Sequence, residues 1–368
     1  MQIERAELFQ VPLELREPFE SSAGAVHVRS ILLVALSGGG ITGWGECVAG
    51  ETPHYSPETT ETAWAALTER LLPTIRGTTL TVDTEAIEHH WTRFPGHPMA
   101  RAAVEMAIWD LDAKRRGVPL CIALGGQQKP VAAGVSIGLQ RDDDALYRRV
   151  EGFLEDGYRR IKVKIKPRRD IMTLRGIRDR FGNIPLMADA NSAYTIGDMT
   201  VLREMDDFIL MMIEQPLAPD DFDGHAQLQE RLLTPICLDE SIVSLDDAER
   251  ALDQGSCRII NIKPGRVGGL ARARGIHDFC RERDVAVWCG GMHESGIGRA
   301  HNVALATLPG FTLPGDISAS RRYFEKDLVT PEWELEDGSL TPLEAPGIGV
   351  EVDLPRILEL SVRRSTIG

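Results

Sequence analysis

The chain has 368 residues, 43% of them hydrophobic, and a formal net charge of −14, which suits one large domain and a smaller companion, each with a filled core. So acidic a balance excludes a nucleic-acid or anionic-membrane surface, which would need clustered Lys and Arg, and leaves any bound anion to a local site. The six cysteines, Cys47, Cys121, Cys237, Cys257, Cys280 and Cys289, include no C-x-x-C pair, so neither a zinc knuckle nor a disulfide framework is expected. A reducing cytoplasm fits that usage. The opening residues Met1-Gln2-Ile3-Glu4-Arg5 lack the regions of a signal peptide, and no apolar run approaches the ~20 residues that span a bilayer. The expectation is a soluble cytoplasmic protein without membrane or nucleic-acid partners.

In chain order, residues 1–128 read as an α+β domain. Ser30–Leu36 is β-branched and aliphatic, Gly38-Gly39-Gly40 is a turn and Ile41–Cys47 alternates, which together predict a hairpin. A helix is expected over Pro57–Leu72, with Ser56 as N-cap, and another over Ala100–Arg116, stopped by Gly117. Residues 129–318 change character to apolar strand cores separated by charged helical stretches. The strands are expected at Ala133–Leu139, Arg160–Ile165, Leu186–Asp189, Leu210–Glu214, Ile236–Asp239, Ile259–Lys263, Ala286–Cys289 and about Thr312–Ile317. Eight successive β-then-α units predict a closed (β/α)₈-type barrel, because right-handed crossovers place every helix outside. Residues 319–368 are expected to return to the N-terminal domain.

Lys164, Asp189, Glu214, Asp239 and Lys263 recur at intervals of 25, 25, 25 and 24 residues, the length of one βα unit. Each ends an apolar strand, so in a barrel the five side chains meet at the mouth, where active sites lie. Buried charges need partners, and three adjacent carboxylates demand a cation. Oxygen-only ligands on rigid strand ends make Mg²⁺ the first choice and Mn²⁺ the next. Strand-end salt bridges are the plain alternative, which the regularity weakens. Lys164 and Lys263 flank the expected metal on opposite faces, an arrangement suited to removing a proton α to a carboxylate, stabilising the enediolate and reprotonating from the other side. A leaving group on the next carbon would instead depart as water. Lys162 shares a strand face with Lys164, and two adjacent ammonium groups would depress each other's pKa and supply a base near neutrality. Arg266 either helps keep Lys263 neutral or is an ordinary loop arginine.

The sequence resembles the enolase superfamily, its muconate-lactonizing subgroup, and there the o-succinylbenzoate synthase and N-acylamino acid (N-succinylamino acid) racemase branch. The resemblance runs along essentially the whole chain, through Gly43-Trp44-Gly45-Glu46, Glu105-Met106-Ala107-Ile108-Trp109-Asp110-Leu111, Lys162-Val163-Lys164, Asp189-Ala190-Asn191, Glu214-Gln215-Pro216, Asp239-Glu240-Ser241 and Asn261-Ile262-Lys263-Pro264-Gly265-Arg266. Gly290-Gly291-Met292 and Gly296-Ile297-Gly298-Arg299-Ala300-His301-Asn302 point to the branch. It implies a modified TIM barrel covered by an N-terminal capping domain, Mg²⁺ held by Asp189, Glu214 and Asp239, and Lys164 and Lys263 as the acid/base pair. It further implies capping loops around Phe19-Glu20-Ser21-Ser22 and Pro53-His54-Tyr55, and assembly as a homo-oligomer. Ser136, Asn191 and Met292 become substrate contacts by similarity, together with Phe19 and Tyr55. Glu240, on the opposite strand face if its strand continues, is placed behind the ligands, and Arg266 favours the racemase-containing branch. His293 departs from the pattern, standing where an aliphatic residue is usual; it would either make the substrate pocket polar or turn aside onto loop backbone. Dipeptide epimerases, the nearest rival, carry an Asp-x-Asp where this chain has Asp316-Ile317-Ser318. A Schiff-base aldolase and a non-catalytic metal-stabilised binding protein are rivals of other classes.

Overall fold

The computed structural model describes residues 2–21, 24–53, 55–78, 87, 89–91 and 93–367. Its first element is a strand the sequence reading missed, β1 (Arg5–Ser21), which pairs antiparallel with β2 (Gly24–Gly38), which in turn pairs with β3 (Ile41–Cys47). The expected hairpin is β2–β3. Its two-residue loop, Gly39 and Gly40, has φ of 59° and 78°, the mirror-image turn whose twist matches the flanking strands and which glycine adopts without strain.

The first helix starts later than Ser56 and Pro57 suggested: α1 is Thr60–Ala66, capped by Thr59 in a reciprocal capping box with Thr62. The reason is local. Ser56 Oγ accepts from the Glu58 amide in a preceding turn, and the Glu58 carboxylate accepts from the Met99 and Ala100 amides at 2.8 and 2.9 Å. Glu58 thereby caps a later helix, α2 (Pro98–Arg116), which ends at Gly117 in the left-handed conformation. β3 lies so close to α2 that a Cβ on Gly45 would stand 2.0 Å from the Ala103 carbonyl oxygen. The glycines of the Gly-Trp-Gly-Glu run are therefore a packing requirement.

The barrel strands are β4 (Gly134–Ile137), β5 (Arg160–Lys164), β6 (Leu186–Asp189), β7 (Ile213–Glu214), β8 (Ile236–Leu238), β9 (Ile259–Ile262) and β10 (Ala286–Cys289). They are parallel neighbours in sequence order, the outcome of right-handed βαβ crossovers. The expected eighth strand at Thr312–Ile317 does not form as a strand. Pro314 lacks an amide for the ladder, and the segment makes single bridges, Phe311 to Val287 and Gly315 to Ala133. Those bridges still close the ring, with Gly134 N donating to Gly315 O at 2.6 Å and Asp316 N to Cys289 O at 2.9 Å.

Two barrel helices matter for how the domains meet, α3 (Leu270–Glu282) and α4 (Gly296–Ala306). Glu46 of β3 reaches the start of α4, accepting from Ser295 N and Gly298 N, both at 3.0 Å, and from Ser295 Oγ at 2.5 Å. Glu105 of α2 accepts from Ala271 N at 2.7 Å at the start of α3. Each carboxylate satisfies orphan helix amides and faces the positive end of the helix dipole, about 1 kcal/mol apiece. Burial and the Glu294 charge push Glu46 up to about 7, against the pull of its hydrogen bonds from Ser295. His301 of α4 donates from Nε2 to Trp44 O at 2.9 Å. The last strand, β11 (Arg363–Ile367), pairs antiparallel with β1, Ala6 opposite Ile367.

Candidate active site

The strand register sets the charged residues side by side: Lys164 of β5 is opposite Asp189 of β6, which is opposite Glu214 of β7. Asp239 and Lys263 follow immediately after β8 and β9. Asp189, Glu214 and Asp239 are each at most 1% exposed, so none is neutralised by bulk water. Lysines and an arginine hold them instead. Lys164 Nζ is 2.6 Å from Asp189 Oδ2, Lys263 Nζ is 2.7 Å from Asp239 Oδ2, and Lys162 Nζ reaches Glu214 at 2.9 Å and Asp189 at 3.2 Å. Arg266, buried, is no ordinary loop arginine: it pairs with Asp239 and donates to the Ile242 and Asn261 carbonyls at 2.8 and 2.6 Å.

The electrostatics follow from this crowding. Burial pushes Glu214 up to about 8, with the Asp189 charge adding to it and Lys162 opposing. Burial would also raise Asp189, but Lys164 and Lys162 outweigh it and hold that carboxyl below the usual range. The expectation of a depressed Lys162 pKa fails here. Burial does act to lower it, yet Asp316, Glu214 and Asp189 together raise it well above the ordinary lysine value. Lys263 is likewise raised: burial and Arg266 oppose, and Asp239 with Tyr55 prevails.

The lysines of this cluster lie at the floor of a cavity of about 760 Å³. Lys162, Lys164 and Lys263 line it, as do Ser136, Asn191, Glu240, Met292, His293, Phe19 and Tyr55. Tyr55 is more than a wall: its hydroxyl is 2.8 Å from Lys263 Nζ and 3.4 Å from Asp239 Oδ2. Asn191, at φ 41°, accepts from Lys164 Nζ at 2.5 Å and donates to Glu240 Oε1 at 2.9 Å. Ser136 Oγ is buried and has no hydrogen-bond partner among the described residues. Glu240 would lie on the far strand face if its strand continued; β8 stops at Leu238, and Glu240 lines the cavity, its Oε2 without a hydrogen-bond partner among the described residues. Burial, with Asp239 nearby, pushes Glu240 up to about 7. The His293 ring packs edge-on to Phe19 at 4.4 Å and tilted on Tyr323 at 5.0 Å, so it lines the cavity and is not turned aside. Burial, then Arg29 and Arg322, hold it neutral, well below the ordinary imidazole value. Of the expected capping loops, Ser22 and His54 lie outside the described residues.

Two family models divide the chain between them. Residues 3–125 match the N-terminal domain of mandelate racemase and muconate lactonizing enzyme, and residues 145–357 match the enolase C-terminal domain-like family. The chain belongs to the enolase superfamily. Among relatives of this superfamily, an o-succinylbenzoate synthase of Geobacillus kaustophilus is 53% identical over 95% of this chain and 94% of its own length. An N-succinylamino acid racemase of Thermus thermophilus is 45% identical over 96% of both. The crystal structure of an enolase superfamily member from Listeria innocua superposes with a TM-score of 0.95 at 42% identity, covering 100% of this chain and 99% of that one. The superfamily fold, a modified TIM barrel with an N-terminal cap, is the one described above, and the chain's place is in the o-succinylbenzoate synthase and N-succinylamino acid racemase branch.

Sequence reasoning missed the roles of three side chains at the cavity floor, Asp316 having been weighed only against the epimerase motif. Asp316 accepts from Lys162 Nζ at 2.5 Å and pairs with Arg160, whose guanidinium lies 4.5 Å from the centre of the Trp288 ring. Asn261 bridges two of the carboxylates. The missed signal was spacing by two: Arg160, Lys162 and Lys164 on β5, and Asn261 two before Lys263, share the inward face.

Proposed function

We propose that this chain transfers a proton at the carbon α to a small substrate's carboxylate, through an enediolate, as an N-succinylamino acid racemase, an o-succinylbenzoate synthase or both. The observation that carries the reading is that Lys164 and Lys263 face one cavity while each rests on a different member of a buried carboxylate trio. Asp189, Glu214 and Asp239 would hold a divalent metal, Mg²⁺ first and Mn²⁺ next, since their donors are all oxygen. Among the described residues no three Asp, Glu, His or Cys side chains already stand in a metal-holding arrangement, and ammonium groups and Arg266 hold oxygens of these carboxylates. The donor set nevertheless fits: three buried carboxylates stand side by side at successive strand ends and offer oxygen donors alone. The metal, when bound, supplies Lewis acidity to a substrate carboxylate and counter-charge to the three side chains.

The residues then divide the work. One lysine, in its neutral form, takes the α-proton from one face of the substrate, and the other, as ammonium, returns a proton to the opposite face, inverting the centre. With a hydroxyl on the adjacent carbon, the enediolate electrons expel it, and a proton from an acid completes water. Lys162 keeps a permanent positive charge beside the developing negative one. Phe19, Met292 and Tyr55 exclude water from the cavity. Dipeptide epimerisation is disfavoured because Asp316 is already spent on Arg160 and Lys162 and residue 318 is a serine.

The test is α-hydrogen exchange in D₂O with each enantiomer of an N-succinylamino acid, beside turnover of the cyclohexadiene precursor of o-succinylbenzoate. Lys164→Ala and Lys263→Ala should each lose racemisation by about 10²–10⁴-fold, and each should retain exchange of only one enantiomer. Chelation should abolish exchange, and Mg²⁺ or Mn²⁺ restore it. Exchange in either variant at the wild-type rate with both enantiomers would refute the two-base assignment.

A further inference from the structure

Asn261 sits on β9 two residues before Lys263, so both side chains point into the barrel. It is fully buried. Its single amide nitrogen donates to Glu214 Oε1 at 2.8 Å and to Asp239 Oδ1 at 3.0 Å, thereby joining two carboxylates from adjacent strand ends. The amide can face only this way, because turning it over would set its oxygen against two carboxylate oxygens. The cost is visible on the other side, where Asn261 Oδ1 is buried with no hydrogen-bond partner among the described residues. A second observation is independent of these bonds. A Cβ on Gly290, just after β10, would stand 2.2 Å from Asn261 Oδ1, 2.8 Å from Asn261 Nδ2 and 2.7 Å from Lys263 Cε, so the neighbouring strand end gives up a side chain to leave this amide its place.

We infer that Asn261 is a positioning residue for the metal site, its amide fixing the separation and aim of Glu214 and Asp239. The inference rests on the proposed assignment of those carboxylates as metal ligands. An amide can do this where a charged group could not. Lys or Arg at position 261 would compete with the metal for the carboxylate charge, whereas a neutral donor orients both oxygens and leaves that charge available. Asn261 touches no reacting atom, so its effect runs through metal affinity.

The experiment is Mn²⁺ titration of metal-stripped protein, reading free Mn²⁺ by electron paramagnetic resonance, on wild type, Asn261→Leu, which keeps the volume and removes the donors, and Asn261→Ala. The expected result is a Kd about 10–100-fold weaker in both variants, with kcat returning to within about threefold of wild type once Mn²⁺ saturates. The metal-free melting temperature should stay close to wild type. A Kd within twofold of wild type overturns the inference, as does a kcat that saturating metal fails to restore. If neither variant folds, Asn261 is a structural residue and the inference falls. If wild type itself binds no Mn²⁺, the metal assignment of the three carboxylates is what has failed, a result readable before any variant is made.

Discussion

Replacing Asp316 by Asn tests the charge balance under the cavity floor. Asp316 pairs with two cations at once: Arg160, which is 0% exposed, and Lys162, 3% exposed. Lys162 keeps Glu214 and Asp189 after the change, but Arg160 has no other ion pair among the described residues, and its Nε and Nη1 already lack partners. Removing one member of a buried pair costs about 3–5 kcal/mol, because the remaining charge stays desolvated. The Trp288 face, 4.5 Å from the guanidinium carbon, offsets part of that through a cation–π contact that contributes about 2 kcal/mol at most. The expected loss is therefore about 3 kcal/mol, read as a shift of the urea midpoint at unchanged slope. Arg160→Met in the same chain should recover some of it, giving a non-additive coupling of about 1–3 kcal/mol. A loss under about 1 kcal/mol, or a double variant as unstable as the sum of the singles, would show that water or relaxation neutralises Arg160 and would refute the reasoning.

His301 predicts an acid limit to stability. Burial depresses its pKa to about 4 from an unfolded 6.5, with Asp110 opposing. The unfolded chain therefore takes up the proton first; the stabilising contribution is full above pH 6.5 and is lost as pH falls toward 4. Between pH 7.5 and 5 the loss is about 2 kcal/mol, and melting curves of His301→Gln should show a correspondingly smaller decline over that window; an identical decline would remove His301 from the account. Gly45→Ala forces a Cβ against the Ala103 carbonyl and should cost about 3 kcal/mol. Gly152→Ala, within a helix and with nothing inside 4 Å of the new carbon, should instead gain about 0.5–1 kcal/mol; equal effects in thermal unfolding would contradict the close approach of β3 to α2.

The barrel was legible because a lone charge closing an apolar strand is a sharp signal, and five such endings at one spacing define a ring. The eighth position was less so. Pro314 and Gly315 interrupt its apolar run, and what closes the ring is a pair of bridges that no periodicity announces. β1 escaped notice because Arg5, Glu7 and Glu14 alternate with its apolar residues; a strand with one face against the core and the other facing outward reads as polar when the pattern is not counted. The lysine electrostatics were misjudged for a different reason. Lys162 lies between carboxylates from β6, from β7 and from the loop at Asp316, and only the three-dimensional arrangement says that these outnumber its fellow ammonium groups. Asn261 carries no charge, and its one signal, the spacing of two from Lys263, is weak by itself.

The pairing of β11 with β1 joins residues more than 350 positions apart, Ala6 with Ile367. On a ribosome, β1 emerges first and must wait for its outer neighbour until almost the whole chain has been made, so one edge of the cap sheet stays uncovered throughout barrel synthesis. At about 5–20 residues per second that interval lasts tens of seconds, long enough for an open strand edge to meet other chains. Glu7 and Gln10 stand among the β1 residues that β11 later covers, and these polar side chains blunt the edge while it is open.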